Sequence, residues 1–410
     1  MKTINKYLYN IYIAISISII IRLWLLNGYG DTTLEHEWRI LFYNLKNYGI
    51  LSYYNSSGGQ LIPTVFMPPL YAYLIYVLDI VTPNVINLVK SVLIFQILLS
   101  CFTVFFFYKI NLFFFSKKIS LISTYVLIFF PIHIVSCLQI SSITIQIFLN
   151  IIFLYLILKI IKKEFNYKIY VIFGFVSALT MLARGEFILI FMLSLFFLLL
   201  CKKINYKQTA VTLLIAIITL SPYLIRNYVV FEKITITKSF GYNLWKGNNI
   251  ESGIEGSDSY LAFNSYKFDK KLKKLKKNTL YDFNRDDLFL NTSINFIKDN
   301  PRLFLERYIK KFLAFTLFNP HSNYPKYNNP LNILPLILLS LVFLLSLMFN
   351  SRNKSLYYKY LIFNIFITVA IFSIFFILPR YKLIILPSQI LISNFIFIKL
   401  YLKYFKSKGV

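Results

Sequence analysis

Three carboxylates lie close together in a chain that has few of them. Asp31, Glu35 and Glu37 fall within one short stretch, directly after an apolar segment that ends near Leu26. The whole chain holds 16 acidic residues against 44 basic ones. Because a carboxylate beside an apolar segment is costly to desolvate, a group of three there favours a chemical role. We therefore take these residues as candidates for a general base, which removes a proton from a reacting hydroxyl group.

The three acids differ in their sequence surroundings. Thr32 and Glu35 have the spacing of a capping box, so Glu35 has a structural alternative as part of a helix N-terminus. Glu37 lies beyond that box, which makes it the first choice as the base, with Asp31 in reserve. A histidine such as His36 can serve as a general acid, a general base or a metal ligand. A single histidine at a membrane interface more often only forms hydrogen bonds.

Cofactor chemistry has little support in the sequence. Glu35 and Glu37 as a pair could hold Mg²⁺ or Mn²⁺ through water molecules, yet no spacing of ligands indicates a metal site, and none is predicted. Cys101, Cys137 and Cys201 lie in or beside apolar segments and lack the spacing of a disulfide framework or a metal site. No Gly-rich phosphate loop is present, so nucleotide binding is not predicted either.

The composition is that of an integral membrane protein. Hydrophobic residues make up 58% of the chain, charged residues only 15%, and the mean hydropathy is +0.64. A net charge of +28 is compatible with nucleic-acid binding, but the basic residues lie in short clusters between apolar segments. This pattern is typical of cytoplasmic loops under the positive-inside rule. We therefore predict membrane lipids as a partner and no nucleic acid.

About ten apolar segments are long enough to cross a membrane. With ten crossings and both termini in the cytoplasm, the Lys pairs 117–118, 162–163 and 202–203 all lie in cytoplasmic loops. The sequence thus predicts an all-α polytopic membrane protein with a small mixed subdomain on its outer face. The predicted spans are 7–26, 86–108, 119–137, 140–161, 168–184, 187–201, 208–225, 332–349, 358–378 and 383–402.

The spans divide the chain into three predicted parts. Residues 1–226 form an N-terminal transmembrane module that includes an outer loop at 27–85. Residues 227–331 form an outer-face subdomain that contains most of the acidic residues. Residues 332–410 supply the C-terminal transmembrane helices.

Local patterns indicate the elements of the two outer segments. Trp38, Leu41, Phe42 and Leu45 recur with helical spacing, which predicts an amphipathic helix on the membrane surface that ends at Gly49. Two prolines within the run Met67-Pro68-Pro69-Leu70-Tyr71 force an extended entry, and an apolar helix then runs to about Ile80. In the second segment, the alternation over 234–237 predicts a strand. Residues 241–249 follow as a loop, and a basic amphipathic helix begins at Pro301.

The loop at 241–249 is rich in aromatic and amide groups. Rings stack on the apolar faces of sugars and amides bind hydroxyl groups, so this composition suits a carbohydrate or a lipid head group. An ordinary turn built from Asn and Gly is the structural alternative.

Several of these motifs together resemble the GT-C superfamily of membrane glycosyltransferases. The resemblance is greatest to the family 39 branch, which includes protein O-mannosyltransferases and lipid A aminoarabinose transferases. It covers nearly the whole chain, in the expected order. The matching runs are Glu37-Trp38 to Gly49, Met67 to Tyr71, Leu182-Ala183-Arg184-Gly185-Glu186, Pro222 to Asn227, Gly241 to Asn249, Asn300-Pro301, and Arg380-Tyr381-Lys382-Leu383 with Pro387.

The resemblance implies a polyprenyl-phosphate-linked sugar as donor and an acidic residue of the first outer loop as the catalyst. Many relatives carry Asp before the surface helix, where this chain has Leu34-Glu35. The choice among Glu37, Glu35 and Asp31 therefore stays open. The substrate-binding residues predicted within the matching runs are Tyr71, Tyr242, Asn243, Asn248 and Tyr381.

Three arginines are candidates for binding the donor phosphate. Arg184, Arg226 and Arg380 each lie at the predicted outer end of a span. A single such arginine is explained equally well by a side chain that reaches from the membrane to water. Three of them at one membrane face, each inside a matching run, favour phosphate binding. A pairing of Arg184 with Glu186 is an alternative, although two residues that far apart do not face each other on a helix.

The sequence therefore predicts an inverting glycosyltransferase that uses a general base at the outer face of an inner (plasma) membrane. The acceptor hydroxyl belongs to a lipid, a glycan or a protein. The alternatives are a flippase or transporter for lipid-linked sugars, or a ligase that moves whole glycans. A transporter usually has polar residues or broken helices near the bilayer midplane, whereas these motifs gather at one face.

Overall fold

The computed structural model of the protein describes residues 10–34, 36–56, 58–82, 87–163, 166–257, 266–324, 327–350 and 353–404. Glu35, and with it the capping box predicted with Thr32, lies outside these residues.

Most of the described chain is helical. In chain order the elements before residue 164 are α1 (Ile11–Tyr29), α2 (His36–Tyr48), β1 (Ser52–Asn55), β2 (Leu61–Pro63), α3 (Pro69–Val81), α4 (Leu88–Asn111), α5 (Lys117–Ile128), α6 (Pro131–Cys137) and α7 (Ile143–Ile161). The later elements are α8 (Tyr167–Ala183), α9 (Phe187–Leu200), α10 (Tyr206–Phe231), α11 (Phe240–Gly247), α12 (Tyr266–Lys273), α13 (Tyr281–Asp299), α14 (Pro301–Thr316), α15 (Pro330–Phe349), α16 (Leu356–Ser373), a 3₁₀ turn (Pro379–Tyr381) and α17 (Lys382–Tyr404).

The predicted fold class is confirmed. Among the described residues, six helices are long and apolar enough to cross a membrane: α1, α4, α7, α10, α15 and α16. The pair α5 and α6 makes a seventh candidate span, bent by 59° just before Pro131. Helices α8 and α9 are apolar but shorter. Each of the ten predicted spans overlaps a helix or the bent pair, but α8, α9 and α17 are not among the candidate spans, so the number of crossings stays a prediction. The protein is a multi-pass membrane protein.

The amphipathic helix predicted in the first long loop is present as α2. Its apolar residues Trp38, Leu41, Phe42 and Leu45 are all buried against the rest of the protein. Gly49 ends the helix with a φ of +68°, a backbone conformation that glycine adopts at little cost. Its N–H donates to the Leu45 carbonyl at 3.0 Å. The burial of one face fixes the orientation of α2, and therefore of the acidic residue at its start.

A short hairpin follows α2 that the sequence did not predict. Strands β1 and β2 pair antiparallel, with Tyr54 opposite Ile62 and Asn55 opposite Leu61. Asn44 of α2 donates from Nδ2 to the Ser52 carbonyl at 3.0 Å, which ties the hairpin to the helix.

The chain that leaves the hairpin is held by two distant residues. The Thr64 hydroxyl and the Val65 N–H both donate to Asp282 Oδ2, at 2.5 and 2.9 Å. Burial raises the pKa of the Asp282 carboxyl group, and these two hydrogen bonds oppose that rise. Arg226, at the end of α10, donates from NH1 to the Thr64 carbonyl at 3.2 Å. These bonds fix the path of the chain into Phe66.

Two elements predicted in the second long loop are wrong. Residues 234–237 alternate like a strand but have no partner strand among the described residues, so they form a loop. Residues 240–247, predicted as loop, form helix α11. A Cβ atom at Gly241 would lie 2.1 Å from the Asp286 carbonyl oxygen, and one at Gly247 would lie 2.1 Å from that of Phe375. The two glycines therefore let α11 pack directly on α13 and on the chain after α16.

A charged cluster is buried among α1, α4 and α6. Arg22 is 0% exposed and donates to Ser100 Oγ at 3.0 Å, to Ser18 Oγ at 2.7 Å and to His133 Nδ1 at 3.0 Å. An arginine can only donate, so Nδ1 of His133 is the acceptor and its ring is neutral. Every acceptor named here is uncharged.

The basic helix predicted from Pro301 is present as α14, but its cations face in different directions. Arg302 is exposed, whereas Lys311 is 0% exposed. The Lys311 ammonium group donates to the carbonyl oxygens of Gly247 and Phe375, at 2.9 and 2.6 Å. This residue therefore supports the end of α11 from inside the protein.

Candidate active site

A cavity of about 450 Å³ lies at one end of the helix bundle. Its walls include the starts of α2 and α7, strand β1, the turn between α8 and α9, helices α11 and α13, and the 3₁₀ turn. This volume lies within the range of about 300–1,000 Å³ that is usual for ligand sites. The residues predicted from the sequence that line it are Glu37, Arg184, Tyr242, Asn243, Arg380 and Tyr381.

Glu37 reaches the cavity from the first turn of α2. Within the described part of the chain, no hydrogen bond or ion pair holds its carboxylate. Burial raises the pKa of the neighbouring Tyr53 hydroxyl group, the Glu37 carboxylate raises it further, and Arg285 lowers it. Tyr53 is thus within electrostatic range of both a carboxylate and a cation of the same cavity.

Arg184 lies in the turn between α8 and α9. Its backbone is extended there, with φ −159° and ψ 114°, so the residue is not part of a helix. Its Nε atom lies 3.6 Å from Glu186 Oε2, an ion pair that helical spacing had argued against. The guanidinium carbon lies 4.1 Å from the centre of the Tyr381 ring and 4.6 Å from that of Phe372. The faces of these rings therefore orient the guanidinium group.

Arg380 enters the cavity from the 3₁₀ turn between α16 and α17. Pro379 begins this turn, and the Tyr381 N–H donates to the Leu378 carbonyl at 2.9 Å. Because the next residue is the ring on which Arg184 stacks, the two arginines are brought to one part of the wall. A planar guanidinium group suits two parallel hydrogen bonds to a phosphate.

Arg285 of α13 is a cavity residue that the sequence did not indicate. Its guanidinium carbon lies 4.9 Å from the ring centres of Phe66 and Tyr242, 5.1 Å from that of Phe289 and 5.7 Å from that of Tyr54. These four rings come from separate parts of the chain. In the sequence, Arg285 stands in an acid-rich stretch of the second loop, where an arginine looks like an ordinary surface residue.

Lys246 of α11 adds a further cation to the lining. Its ammonium group lies 5.5 Å from the ring centre of Phe376. The sequence had assigned this residue to a loop, and a loop does not predict where a side chain points. The helical spacing of Tyr242 and Lys246, four residues apart, is the signal that would have placed both on one face.

Two residues predicted to bind substrate lie outside the cavity lining. Tyr71 is buried, donates its hydroxyl hydrogen to Gln96 Oε1 at 2.8 Å and packs its ring edge-on against Trp38, which does line the cavity. Asn248 is also buried, and its Nδ2 donates to the carbonyl oxygens of Leu244 and Ile374. Both side chains support the walls, and their predicted contact with substrate stays a prediction.

Arg226 and Asp31 also lie outside the lining. Besides the Thr64 carbonyl, Arg226 donates to Asn227 Oδ1 at 2.7 Å. Asp31 Oδ2 accepts from the Ile140 N–H at 2.7 Å, just before Ser141, which lines the cavity. The structure thus places both residues behind the cavity wall, and their predicted roles in phosphate binding and in catalysis stay predictions.

The described residues do not form an obvious metal site. No group of three or more His, Cys, Asp or Glu side chains comes together among them. The two carboxylates of the described cavity lining are Glu37 and Glu186, and the second of these is paired with Arg184. Glu35, the second carboxylate of the predicted Glu35/Glu37 pair, lies outside the described residues, so a divalent cation bound there stays a prediction. The steps proposed below use only the chain's own side chains.

Several solved structures share this fold. The archaeal oligosaccharyltransferase AglB from Archaeoglobus fulgidus, in complex with an inhibitory peptide and a dolichol-phosphate, aligns over 99% of this chain with a TM-score of 0.55 and 12% identity. The Archaeoglobus fulgidus oligosaccharyltransferase in complex with Zn and sulfate aligns over 96% of this chain, with a TM-score of 0.54 and 15% identity. The same enzyme tethered to an acceptor peptide containing the NVT sequon aligns over 96% of this chain, with a TM-score of 0.53 and 12% identity.

These likenesses concern the fold. The chain spans about half the length of the structures it matches, namely 52% of the first and 50% of the other two. No protein-family model and no curated protein matches the sequence. At such low identity the alignments show the fold alone, which is the one that these oligosaccharyltransferases have and which agrees with the predicted all-α architecture.

Proposed function

We propose that the protein is a GT-C glycosyltransferase that transfers a sugar from a polyprenyl-phosphate donor to an acceptor hydroxyl group. The observation that carries this proposal is the cavity itself. One carboxylate without an ion partner among the described residues, Glu37, shares it with Arg184, Arg380, Arg285 and Lys246. A base for the nucleophile and several cations for a leaving phosphate are the groups that this transfer needs.

Glu37 is proposed to act as the general base. Its carboxylate accepts the proton of the acceptor hydroxyl group while the hydroxyl oxygen attacks C1 of the sugar. The bond between C1 and the phosphate oxygen breaks, its electron pair stays on the phosphate, and the configuration at C1 inverts. General-base catalysis of this kind contributes about 10²–10⁴-fold to a rate.

The arginines are proposed to bind the departing lipid phosphate. Arg184 lies over two ring faces and pairs with Glu186 through Nε, so its terminal N–H groups are the ones proposed to donate to the phosphate. Arg380 lies one residue from the ring on which Arg184 stacks. Tyr242 and Asn243, on the first turn of α11, are proposed to contact the sugar.

The site is proposed to work at the outer face of an inner (plasma) membrane. The Lys pairs at 162–163 and 202–203 follow the ends of α7 and α9, whose starts lie at the cavity, and this supports the placement under the positive-inside rule. One of the three similar structures contains a dolichol-phosphate and another a tethered acceptor peptide, which supports the proposal of a lipid phosphate donor and a separate acceptor. The resemblance of the matching runs supports the family 39 branch within the superfamily.

A reconstituted transfer assay tests the proposal. The full-length protein in nanodiscs receives the radiolabelled lipid-linked sugars and the delipidated envelope of its source cells. We expect the wild-type protein to transfer label, and Glu37→Gln to lower the rate by about 10²–10⁴-fold without changing thermal stability. Glu306→Gln is the matched control, because Glu306 is an exposed carboxylate that pairs with Lys310 on α14.

Two outcomes would contradict the proposal. Wild-type-like transfer by the Glu37→Gln protein removes this residue from the mechanism. Movement of intact lipid-linked sugar across a vesicle membrane, without release of the lipid phosphate, assigns the protein to transport.

A further inference from the structure

A second, larger cavity lies beside the candidate active site. It is an open groove of about 1110 Å³ between the exposed face of α2 and the hairpin. Arg39 and Lys277 contribute positive charge, and no acidic side chain is among its lining residues in the described part of the chain. The reaction proposed above does not use this groove. The side chains that matter below are Tyr43, Tyr48, Tyr53, Tyr54, Asn55 and Gln60.

Exposed rings form the floor of this groove. Tyr43 is 51% exposed and Tyr48 is 66% exposed, on the face of α2 away from its buried apolar residues. Exposed tyrosines are common in this chain, but these two line one cavity together, where a ligand can reach both rings. Tyr53 and Tyr54 of β1 add two half-buried rings, with their centres 4.8 Å apart and nearly perpendicular.

The groove and the candidate active site share a wall. Tyr53 and Tyr54 line both cavities. Tyr54 is held edge-on against Tyr281 at 5.0 Å, and the hydrogen bond from Asn44 to Ser52 fixes β1 against α2. Strand β1 therefore places a ligand in the groove next to the cavity that holds Glu37, separated from it by the rings of Tyr53 and Tyr54.

We propose that this groove binds the acceptor, and that the acceptor is a saccharide. The inference rests on the proposed function, to which it adds the substrate class. Tyrosine rings stack on the apolar faces of sugar rings, while the amides of Asn55 and Gln60 are suited to bind hydroxyl groups. A volume above about 1,000 Å³ accommodates several sugar units. Because Arg39 and Lys277 are present and acids are absent from the described lining, sugars with carboxylate or phosphate groups are also accepted.

The composition favours a saccharide over a peptide acceptor. A peptide site of this size usually offers deep apolar pockets for anchor side chains or a free strand edge within a hydrophobic groove. Here tyrosine rings, amide groups, hydroxyl groups and two cations outnumber the apolar side chains of the lining, which are Ile40, Ile50 and Leu61.

Binding can be measured without the transfer reaction. The full-length protein in nanodiscs is immobilised, and fluorescently labelled oligosaccharides of two to six units, released from the envelope of the source cells, are passed over it. A peptide digest of the same envelope is the rival probe. We expect oligosaccharides to be retained, and the double variant Tyr43→Ala/Tyr48→Ala to bind them about tenfold more weakly. Tyr48→Phe, which keeps the ring, should bind like wild type.

Tyr228→Ala is the matched control. Tyr228 is 59% exposed near the end of α10 and does not line the groove. Its loss should leave retention unchanged. The proposal is overturned if oligosaccharides are not retained, if the double variant retains them like wild type, or if only peptides are retained.

The experiments distinguish an error in the groove proposal from an error in the catalytic proposal. Glu37→Gln should lose transfer and keep saccharide retention, because Glu37 does not line the groove. If retention is found but Glu37→Gln still transfers sugar, the catalytic proposal fails and the groove stands. If transfer depends on Glu37 but the double tyrosine variant transfers and binds normally, the groove proposal fails and the chemistry stands.

Discussion

The cations at the candidate active site and the arginine buried in the membrane bundle are held in opposite ways. Arg184 and Arg285 lie against the faces of aromatic rings, at 4.1–5.7 Å from the ring centres. Arg22 instead donates through Nε and both terminal nitrogens to Ser18, Ser100 and His133. Both arrangements keep a guanidinium group in place among apolar surroundings.

The difference lies in what remains available for a ligand. A ring face attracts the positive charge and leaves the N–H groups at the edge of the guanidinium directed elsewhere. Hydrogen bonds to hydroxyl and imidazole acceptors use those N–H groups up. We therefore expect the cations that line the cavity to serve a negatively charged substrate, and the hydrogen-bonded cations outside it, Arg22 and Lys311, to serve stability. The predictions below test that division.

The largest effect is expected at Arg380. Substitution Arg380→Gln removes a cation from the cavity wall beside Tyr381, so the charge that develops on the leaving phosphate is less stabilised. Loss of one such donor lowers kcat by about 10²–10³-fold in other enzymes. Single-turnover transfer with saturating donor measures this loss, and thermal denaturation should show an unchanged midpoint.

Arg226→Gln is the informative comparison for Arg380. Arg226 donates to Thr64 and Asn227, and its guanidinium carbon lies 5.2 Å from the ring centre of Phe231. Because it does not line the cavity, its loss should disturb stability and reduce transfer much less. A rate loss equal to that of Arg380→Gln, in a protein of normal stability, would instead support direct phosphate binding by Arg226.

The opposite result is expected at Arg22. Substitution Arg22→Met leaves buried hydroxyl and imidazole acceptors without their donor, which costs about 1–3 kcal/mol of unfolding free energy. Detergent-induced unfolding in mixed micelles measures this loss, and the rate of transfer per folded molecule should stay at the wild-type level.

Arg302→Met is the control for Arg22, because Arg302 is exposed at the start of α14. Its substitution should change neither quantity. If the Arg22→Met protein instead kept full stability but used the donor less well, the hydrogen-bonded arginine would also serve the substrate, and the proposed division would be wrong.

The regular parts of the fold were predictable because local patterns determine them. The apolar spacing of α2 and its end at Gly49 were both correct, since burial of one helix face and a positive φ have direct sequence signals. The start of α3 at Pro69 was predicted because a proline disfavours helix at the residue before it. In contrast, the alternation at 234–237 describes a strand only if a neighbouring strand exists, and the described chain provides none there.

The composition of the site was less predictable. Glu37, Arg184 and Arg380 stand beside spans, where a charge in an apolar context is conspicuous. Arg285 stands in a water-exposed stretch, and its place in the cavity depends on α13 packing against Gly241 of α11. Such a contact between distant elements has no local signal in a single sequence. The same reason explains why the support that Tyr71 gives to the cavity wall was not predicted.

Lys311 gives the finest test of the division, because it lies near the cavity and yet is held by carbonyl groups. Burial, and secondly Arg307, lowers the pKa of its ammonium group to about 7. Between about pH 7 and the normal lysine value near 10.5, the unfolded chain then binds more protons than the folded protein, so the stability should rise with pH. The contribution is at most about 1.4 kcal/mol for each pH unit.

The substitution Lys311→Met should remove this rise of stability with pH, whereas Lys310→Met, at an exposed neighbour, should keep it. Parallel stability curves for the wild-type and Lys311→Met proteins from about pH 7 to 9 would show that the carbonyl oxygens keep Lys311 charged throughout.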